Sequence, residues 1–435
     1  MNRNYLYLVL LIVITSCKSS SGVFSKKTAH EQYGDKLNES GLNQTSLGIR
    51  WFDAASKALI NPVEVPLPHK EAGYFATDLP SATALQFNVR RGEDISIELL
   101  KTPSTNFLLF ADLFSRSNGT TKFILSLDTI NITTRYTVKE NGQFIIRLQP
   151  ELLRSGSYTL TIRSGPSLAF PVLSPTSKNR VISIWADERD GGARSHEGVD
   201  IGGIRGTPVI AIGNGVVSSV TVNNLGGKVV FIRSDKFNEN WYYAHLDSQL
   251  VKPGQHVVTG DIVGLIGNTG NARTTAPHLH FGIYSSAGAI DPLPYIQSNN
   301  KEPGPLTASS SALGTWVRLG SKSTRLYHAP DIESAAVAGG NIPLYITGAT
   351  SNFFRTNLPG GETMFVPASA IVPLEKRIRK ITLKENTNIL DSPAVNAPVI
   401  KTIEAYSEVD VLGTYKEFQL IGFADQQGWI LLTKQ

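Results

Sequence analysis

Short apolar runs with polar residues at alternate positions recur along most of the chain, bounded by Gly, Pro, Asn or Asp. A two-residue period puts every second side chain on one face of an extended strand, so each run predicts a β-strand. Residues 84–89, 94–100, 107–114, 143–148 and 157–162 form one such series, and their spacing suggests a β-sandwich over 63–175. A second series, 207–212, 215–222, 228–233, 241–245, 257–266 and 278–284, shows no sustained helical period. A strand-rich, glycine-rich unit of this kind fits a groove cut across a sheet, where an extended peptide could lie. Two short amphipathic stretches, His30 to Leu42 and Leu47 to Leu59, predict helices ahead of the sandwich.

At 435 residues the chain is too long for one core. Residues 298–313 hold Pro303, Gly304, Pro305 and three consecutive serines, the composition of a linker. Beyond them lies an internal repeat, in which residues 324–330 match 387–393 in their Thr, their apolar residues and their Pro. The two units, 315–375 and 378–435, resemble bacterial Src-homology-3-like barrels, a module commonly fused to cell-wall hydrolases. That resemblance implies grooves for wall peptide or glycan that could include Trp316, Tyr327 and Trp429, although each aromatic could equally fill a small core.

The first residues bear on location. Arg3 precedes an apolar run from Tyr5 to Ile14, followed by Thr15, Ser16 and Cys17, the pattern of a secretory leader. The run is far short of the roughly 20 apolar residues that span a bilayer. Residues 14–17 resemble the lipobox of bacterial lipoproteins, which implies cleavage after residue 16 and a membrane anchor on lipidated Cys17, with Lys18 to Gly22 as a flexible tether. Cys17 is the only cysteine, so no intrachain disulfide forms. The net charge of +5 falls to +4 without Arg3 (40 basic against 36 acidic residues), which is modest for this length. It is compatible with an anionic wall polymer, and no nucleic-acid motif is present.

Candidate chemistry gathers in two motifs, His196-Glu197-Gly198-Val199-Asp200 and His278-Leu279-His280. In an extended strand His196, Gly198 and Asp200 share one face, and so do His278 and His280, with Leu279 turned to the core. Gly198 leaves room for an ion. Two imidazoles and a carboxylate with a position open to water is the make-up of a catalytic zinc site, whereas closed structural sites lean on cysteine. Glu197 is turned away from that face by alternation. His30, His69, His256 and His328 read as surface or satisfied core residues, and His30-Glu31 fails the H-E-x-x-H pattern because position 34 is Gly.

The ordered set of residues 190–201, Tyr243-Ala244-His245-Leu246 and Ala276-Pro277-His278-Leu279-His280-Phe281 resembles the lysostaphin/LytM-type zinc peptidases of peptidoglycan, over roughly 180–297. The resemblance implies one zinc ion held by His196, Asp200 and His280, with His278 and His245 as the catalytic pair, on an antiparallel sheet with the zinc at the groove floor. The chain departs from the family's Ser-Thr-Gly at Thr274-Thr275-Ala276, a loop that carries no ligand. His278 is expected as general base, with His245 stabilising the oxyanion or assisting proton transfer.

The whole reading is a mainly β, multidomain chain: leader 1–16, tether and short helices 17–62, β-sandwich 63–175, zinc peptidase domain 180–297, linker 298–313, and two small β-barrels. The expected function is a zinc endopeptidase cutting peptidoglycan stem-peptide cross-links, by family analogy the D-alanine to diaminopimelate bond, from the outer membrane facing the periplasm. The alternative is a non-catalytic activator of cell-wall amidases, and retention of all three ligands argues against it. A toxin against a rival's wall is the third reading, opposed by lipid anchoring. A regulatory protein partner, and inhibition by the upstream segments, are left open.

Overall fold

The computed structural model describes residues 27–127, 133–173, 180–297, 302–320 and 324–432. The leader, Cys17 and the tether therefore lie outside the described residues. Helix α1 (Ala29–Glu39) opens with a capping box between Thr28 and Glu31, and α2 (Ser46–Ile60) is capped by Thr45. Both pack on the outer face of a sheet. Trp51 is almost fully buried, donates Nε1–H to the Pro150 carbonyl at 2.9 Å, and stacks on His30 at 4.6 Å. His30 is thus a core residue, hydrogen-bonded to Gln149 at 2.6 Å.

The sandwich has one sheet ordered Val63–Glu64, Thr83–Val89, Gly142–Pro150, Leu109–Ser117, Thr120–Ser126. The facing strands are His69–Phe75, Gly156–Pro166, Glu93–Thr102 and Thr134–Thr137, and Leu85, Phe87, Ile97, Leu113, Ile146 and Leu160 fill the space between. The alternation read along these strands is the alternation that buries this core.

Two boundaries differ from the sequence expectation. The sandwich ends with the strand Gly156–Pro166, not at 175: Leu168, Phe170 and Val172 pack into the peptidase core, and Val172 bridges to Val209. The 315–375 unit is not a separate barrel on a linker. Its strand Pro343–Ala349 pairs with His69–Phe75, Ala72 opposite Ala349 and Gly73 opposite Gly348, so the sandwich sheet continues into it. Arg355 donates to both oxygens of Glu71 at 2.7 and 2.9 Å, and Tyr158 donates to the same carboxylate at 2.6 Å, all in the interior. The end of the expected linker is also pinned, because the Thr307 and Ala308 amides donate to the Ser351 carbonyl. The two C-terminal units share a core in which Leu344, Phe354, Leu412, Leu420 and Trp429 meet. Trp429 is therefore a core residue; Tyr327 packs on Phe353, and Trp316 is 45% exposed beside Tyr345.

The peptidase unit is one antiparallel sheet ordered Val181–Ser183, Val199–Gly202, His278–Ser285, Glu239–Gln249, Gly227–Ser234, Gly215–Asn223, His256–Val257. Trp241, Tyr243, Leu279, Phe281 and Ile283 are fully buried beneath it. It meets the sandwich where Arg91 donates to Glu239 at 2.9 Å and to Tyr295 at 3.1 Å. Glu239 pairs with Ser285, while Ala244 pairs with His280. Five residues of strand, roughly 17 Å, separate that contact from the candidate site. Among the described residues no helix is long and apolar enough to cross a membrane.

Candidate active site

Register brings the ligand candidates together. Asp200 lies directly opposite His280, and Gly202 opposite His278, in the central antiparallel pair. Opposed side chains on one face of such a pair stand within about 5.5 Å. His196 arrives differently from the expectation. The strand begins only at Val199, and His196 instead pairs with the preceding loop, its N–H donating to the Asp187 carbonyl and its own carbonyl accepting from Ala186. A bend at Gly198 then turns the chain so that His196 still reaches Asp200. Glu197 points outward and is exposed.

His196 Nε2, His280 Nδ1 and Asp200 Oδ1 form a triangle with edges of 3.0, 3.0 and 3.2 Å. They are the potential metal-ligating group among the described residues. Tetrahedral ligands about 2.0–2.1 Å from zinc stand roughly 3.3 Å apart, so the triangle fits that ion. The protons agree. Nδ1–H of His196 donates to the Ile184 carbonyl at 2.8 Å, which leaves Nε2 as a lone pair aimed at the carboxylate oxygen. Two acceptors facing each other in a half-buried pocket call for a cation between them. Burial would raise the Asp200 carboxyl, but its close contacts with the His196 and His280 imidazoles outweigh it and hold it well below the usual range. Burial pushes His280 below its ordinary value, partly offset by Asp200. Both shifts keep the group in its ligating form.

His278 and His245 stand edge to face beside this triangle, their ring centroids 4.9 Å apart and His245 5.9 Å from His280. Each has Nδ1 tied to a backbone carbonyl, His278 to Ala276 at 2.9 Å and His245 to Thr269 at 2.8 Å, so each presents Nε2. His245 is set by a kink that the plain strand pattern did not foretell. Its φ is +60°, rare for a residue with a Cβ, and pairing slips on both sides of it. Thr269 keeps it there, accepting from the Lys228 amide and donating to the Leu246 carbonyl, both at 2.9 Å. Burial, reinforced by His278, pushes the His245 imidazole down to about 4, so it is neutral at working pH.

Three contributors escaped the sequence reading. Arg189 Nη2 lies 2.7 Å from Asp200 Oδ2 and 2.7 Å from Ser183 Oγ, and Thr269 orients His245. Arg189 does adjoin the stretch 190–201 that carries the motif, but no spacing rule links it to Asp200. The other histidines stay apart from the site: His69 is buried against Glu71 at 3.3 Å, and His256 and His328 are exposed.

An antiparallel sheet presenting a carboxylate and two imidazoles at metal-binding distance, with two more imidazoles beside them, can hold a metal ion next to groups able to move protons. The family model described as Peptidase family M23 matches residues 194–292, the stretch that carries this site. Among the chain's relatives, the L-Ala–D-Glu endopeptidase of Bacillus subtilis is 38% identical over 128 residues, 27% of this chain and 39% of the relative. The peptidoglycan DD-endopeptidase ShyC of Vibrio cholerae is 36% identical over 137 residues, 29% and 30% of the two chains. The solved catalytic domain of lysostaphin from Staphylococcus simulans is 33% identical, covering 28% of this chain and 93% of that one, with a TM-score of 0.26. The chain thus spans less than half the length of these curated relatives.

Proposed function

We propose that this protein is a zinc-dependent endopeptidase that hydrolyses peptide cross-links of peptidoglycan. The observation that carries the proposal is the His196–Asp200–His280 triangle with the His278–His245 pair beside it. His196, Asp200 and His280 would hold the ion. In such a site zinc supplies Lewis-acid polarisation of a carbonyl and a nucleophile available near neutral pH.

The chain's own groups do the rest. His278 Nε2 accepts the proton of the attacking water as the new C–O bond forms. The same proton passes to the amine nitrogen as the C–N bond breaks, so the pair ends as it began. His245, neutral and fixed by Thr269, lines the site beside His278 and shares that proton transfer. The relatives' names favour a wall stem peptide, and the D-alanine to diaminopimelate cross-link is the bond we assign. The C-terminal units would bind the wall, with Trp316, 45% exposed, the most exposed of the three aromatics named from the sequence. The leader pattern and Cys17 support anchoring in the outer membrane, checked by fatty-acid labelling that disappears in Cys17→Ala.

Purified sacculi incubated with protein beginning at Lys18, followed by mass analysis of muropeptides, test the activity. Conversion of cross-linked dimers to monomers, lost with a chelator and in His278→Ala, is the expected result and names the bond. Intact dimers with the zinc-loaded protein would reject the enzyme and bring forward the amidase-activator reading.

A further inference from the structure

We propose that Arg189 is a positioning residue that holds Asp200 to one oxygen toward the metal, and so keeps the water position open. The inference rests on the zinc reading above. Asp200 Oδ1 is the atom in the ligand triangle, 3.0 Å from His280 and 3.2 Å from His196. Its other oxygen, Oδ2, is 2.7 Å from Arg189 Nη2. A carboxylate beside a cation can swing to offer both oxygens. With three protein ligands, a second Asp200 oxygen would occupy the fourth site that catalysis needs free. A charge-assisted hydrogen bond on Oδ2 opposes that swing.

The same guanidinium reaches the opposite side of the triangle. Nη2 also donates to Ser183 Oγ at 2.7 Å, Ser183 donates to Asp187 Oδ2 at 2.6 Å, and Ser183 Oγ lies 3.2 Å from His196 Nδ1. One assignment of protons satisfies the whole set. Ser183 accepts from Arg189, lies beside the His196 Nδ1–H whose shorter bond goes to the Ile184 carbonyl, and gives its own proton to Asp187, which also accepts from the Ile184 amide at 2.9 Å. Arg189 thereby braces Asp200 directly and His196 through Ser183. It stands on a two-residue strand, Glu188–Arg189, paired with Arg194–Ser195. The turn between them is made by Gly191 and Gly192 at φ +68° and +93°. The hairpin is short and close to the site, so the guanidinium is carried on backbone that leads directly into His196.

The test measures metal rather than turnover. Zinc affinity is read by competition with a chromophoric chelator, and coordination by the visible absorption of the cobalt-substituted full-length protein, which is intense for four ligands and weaker for five. Arg189→Leu should bind zinc about 10–100-fold more weakly, as loss of an outer ligand-orienting contact does, and its cobalt band should weaken. Arg189→Lys, with the charge but not the planar fork, should fall between Leu and native. The melting temperature of the metal-free protein should be the same in all three. An Arg189→Leu protein with native affinity and an unchanged cobalt band overturns the proposal. So does a loss of affinity that follows a lowered metal-free melting temperature, since that marks a merely structural role. If the native protein takes up no zinc, and His280→Ala behaves identically, the zinc reading itself has failed and Arg189 falls with it.

Discussion

At position 198 a methyl group is already too much. A Cβ there would stand 2.6 Å from the Phe281 carbonyl oxygen and 2.7 Å from Cε1 of His280, so backbone or ligand has to move. Gly198→Ala should therefore weaken zinc binding by about tenfold or more while leaving the fold intact, read by chelator competition and far-ultraviolet dichroism. The room that the sequence assigned to an ion at Gly198 is in fact filled by the His280 ring. His245→Ala separates binding from chemistry: zinc stoichiometry stays at one, and cross-link cleavage drops by about 10²–10⁴-fold. Loss of the metal in His245→Ala would make it a ligand and contradict the geometry. The five site candidates could be singled out because each sits in a short motif with a recognisable spacing, and the fold brings His196, Asp200 and His280 together. Arg189, Ser183 and Thr269 were not, because what they touch is decided by a hairpin folding back and by a left-handed kink at His245.

Among the elements, the strand His69–Phe75 carries the most consequence outside the active site. Its Glu71 is wholly buried with Arg355, Tyr158 and His69. Burial alone would raise the Glu71 carboxyl, but Arg355 outweighs it and holds the value at about 2. A depressed carboxylate contributes stability that is complete above its unfolded value of 4.5 and is lost as pH falls from there to about 2. Thermal melts should accordingly drop across that acid window in the native protein and much less in the double change Glu71→Leu with Arg355→Met. The single change Arg355→Met should cost about 3–5 kcal/mol, because it strands a buried carboxylate. If the single and double changes melt alike, the two residues are not coupled. The strand itself was missed in the sequence, since His69-Lys70-Glu71 lacks the β-branched run that marks its neighbours. Its pairing with Pro343–Ala349, about 275 residues away, leaves no local trace in the sequence, whereas the alternating strands of both large units and the capped helices do.

For the molecule as a whole, the contacts place the sandwich and the candidate groove apart. Arg91 meets Glu239 at the far end of the strands that carry His245 and His280, so the upstream unit supports the sheet from behind the chemistry. Full-length protein beginning at Lys18 should cleave soluble cross-linked muropeptides, which need no wall binding, at the same rate as a fragment of residues 167–297, within about threefold. A much faster fragment would reveal inhibition by the flanking units. Starting that fragment at 180 removes Leu168, Phe170 and Val172 from the core, and its melting temperature should fall by comparison. The boundary at Pro166 could not be read from composition, because an apolar segment that changes partner looks the same on either side of the change.

The strand pairing of Ala72 with Ala349 also means that the polypeptide leaves the sandwich, builds the peptidase sheet, and comes back to the sheet it left. Covalent continuity after Gln297 is then one of several connections between the catalytic unit's frame and the C-terminal third, beside that strand pairing, the Glu71–Arg355 pair and the Arg163–Glu302 ion pair at 2.9 Å. The gene could be divided there into two polypeptides, 18–297 and 302–435, produced together. They should elute as one particle through the Glu71–Arg355 clasp, and fall into two with Arg355→Met. A protease that nicks the chain between the two would leave its assembly, and the aim of its active site, as they were.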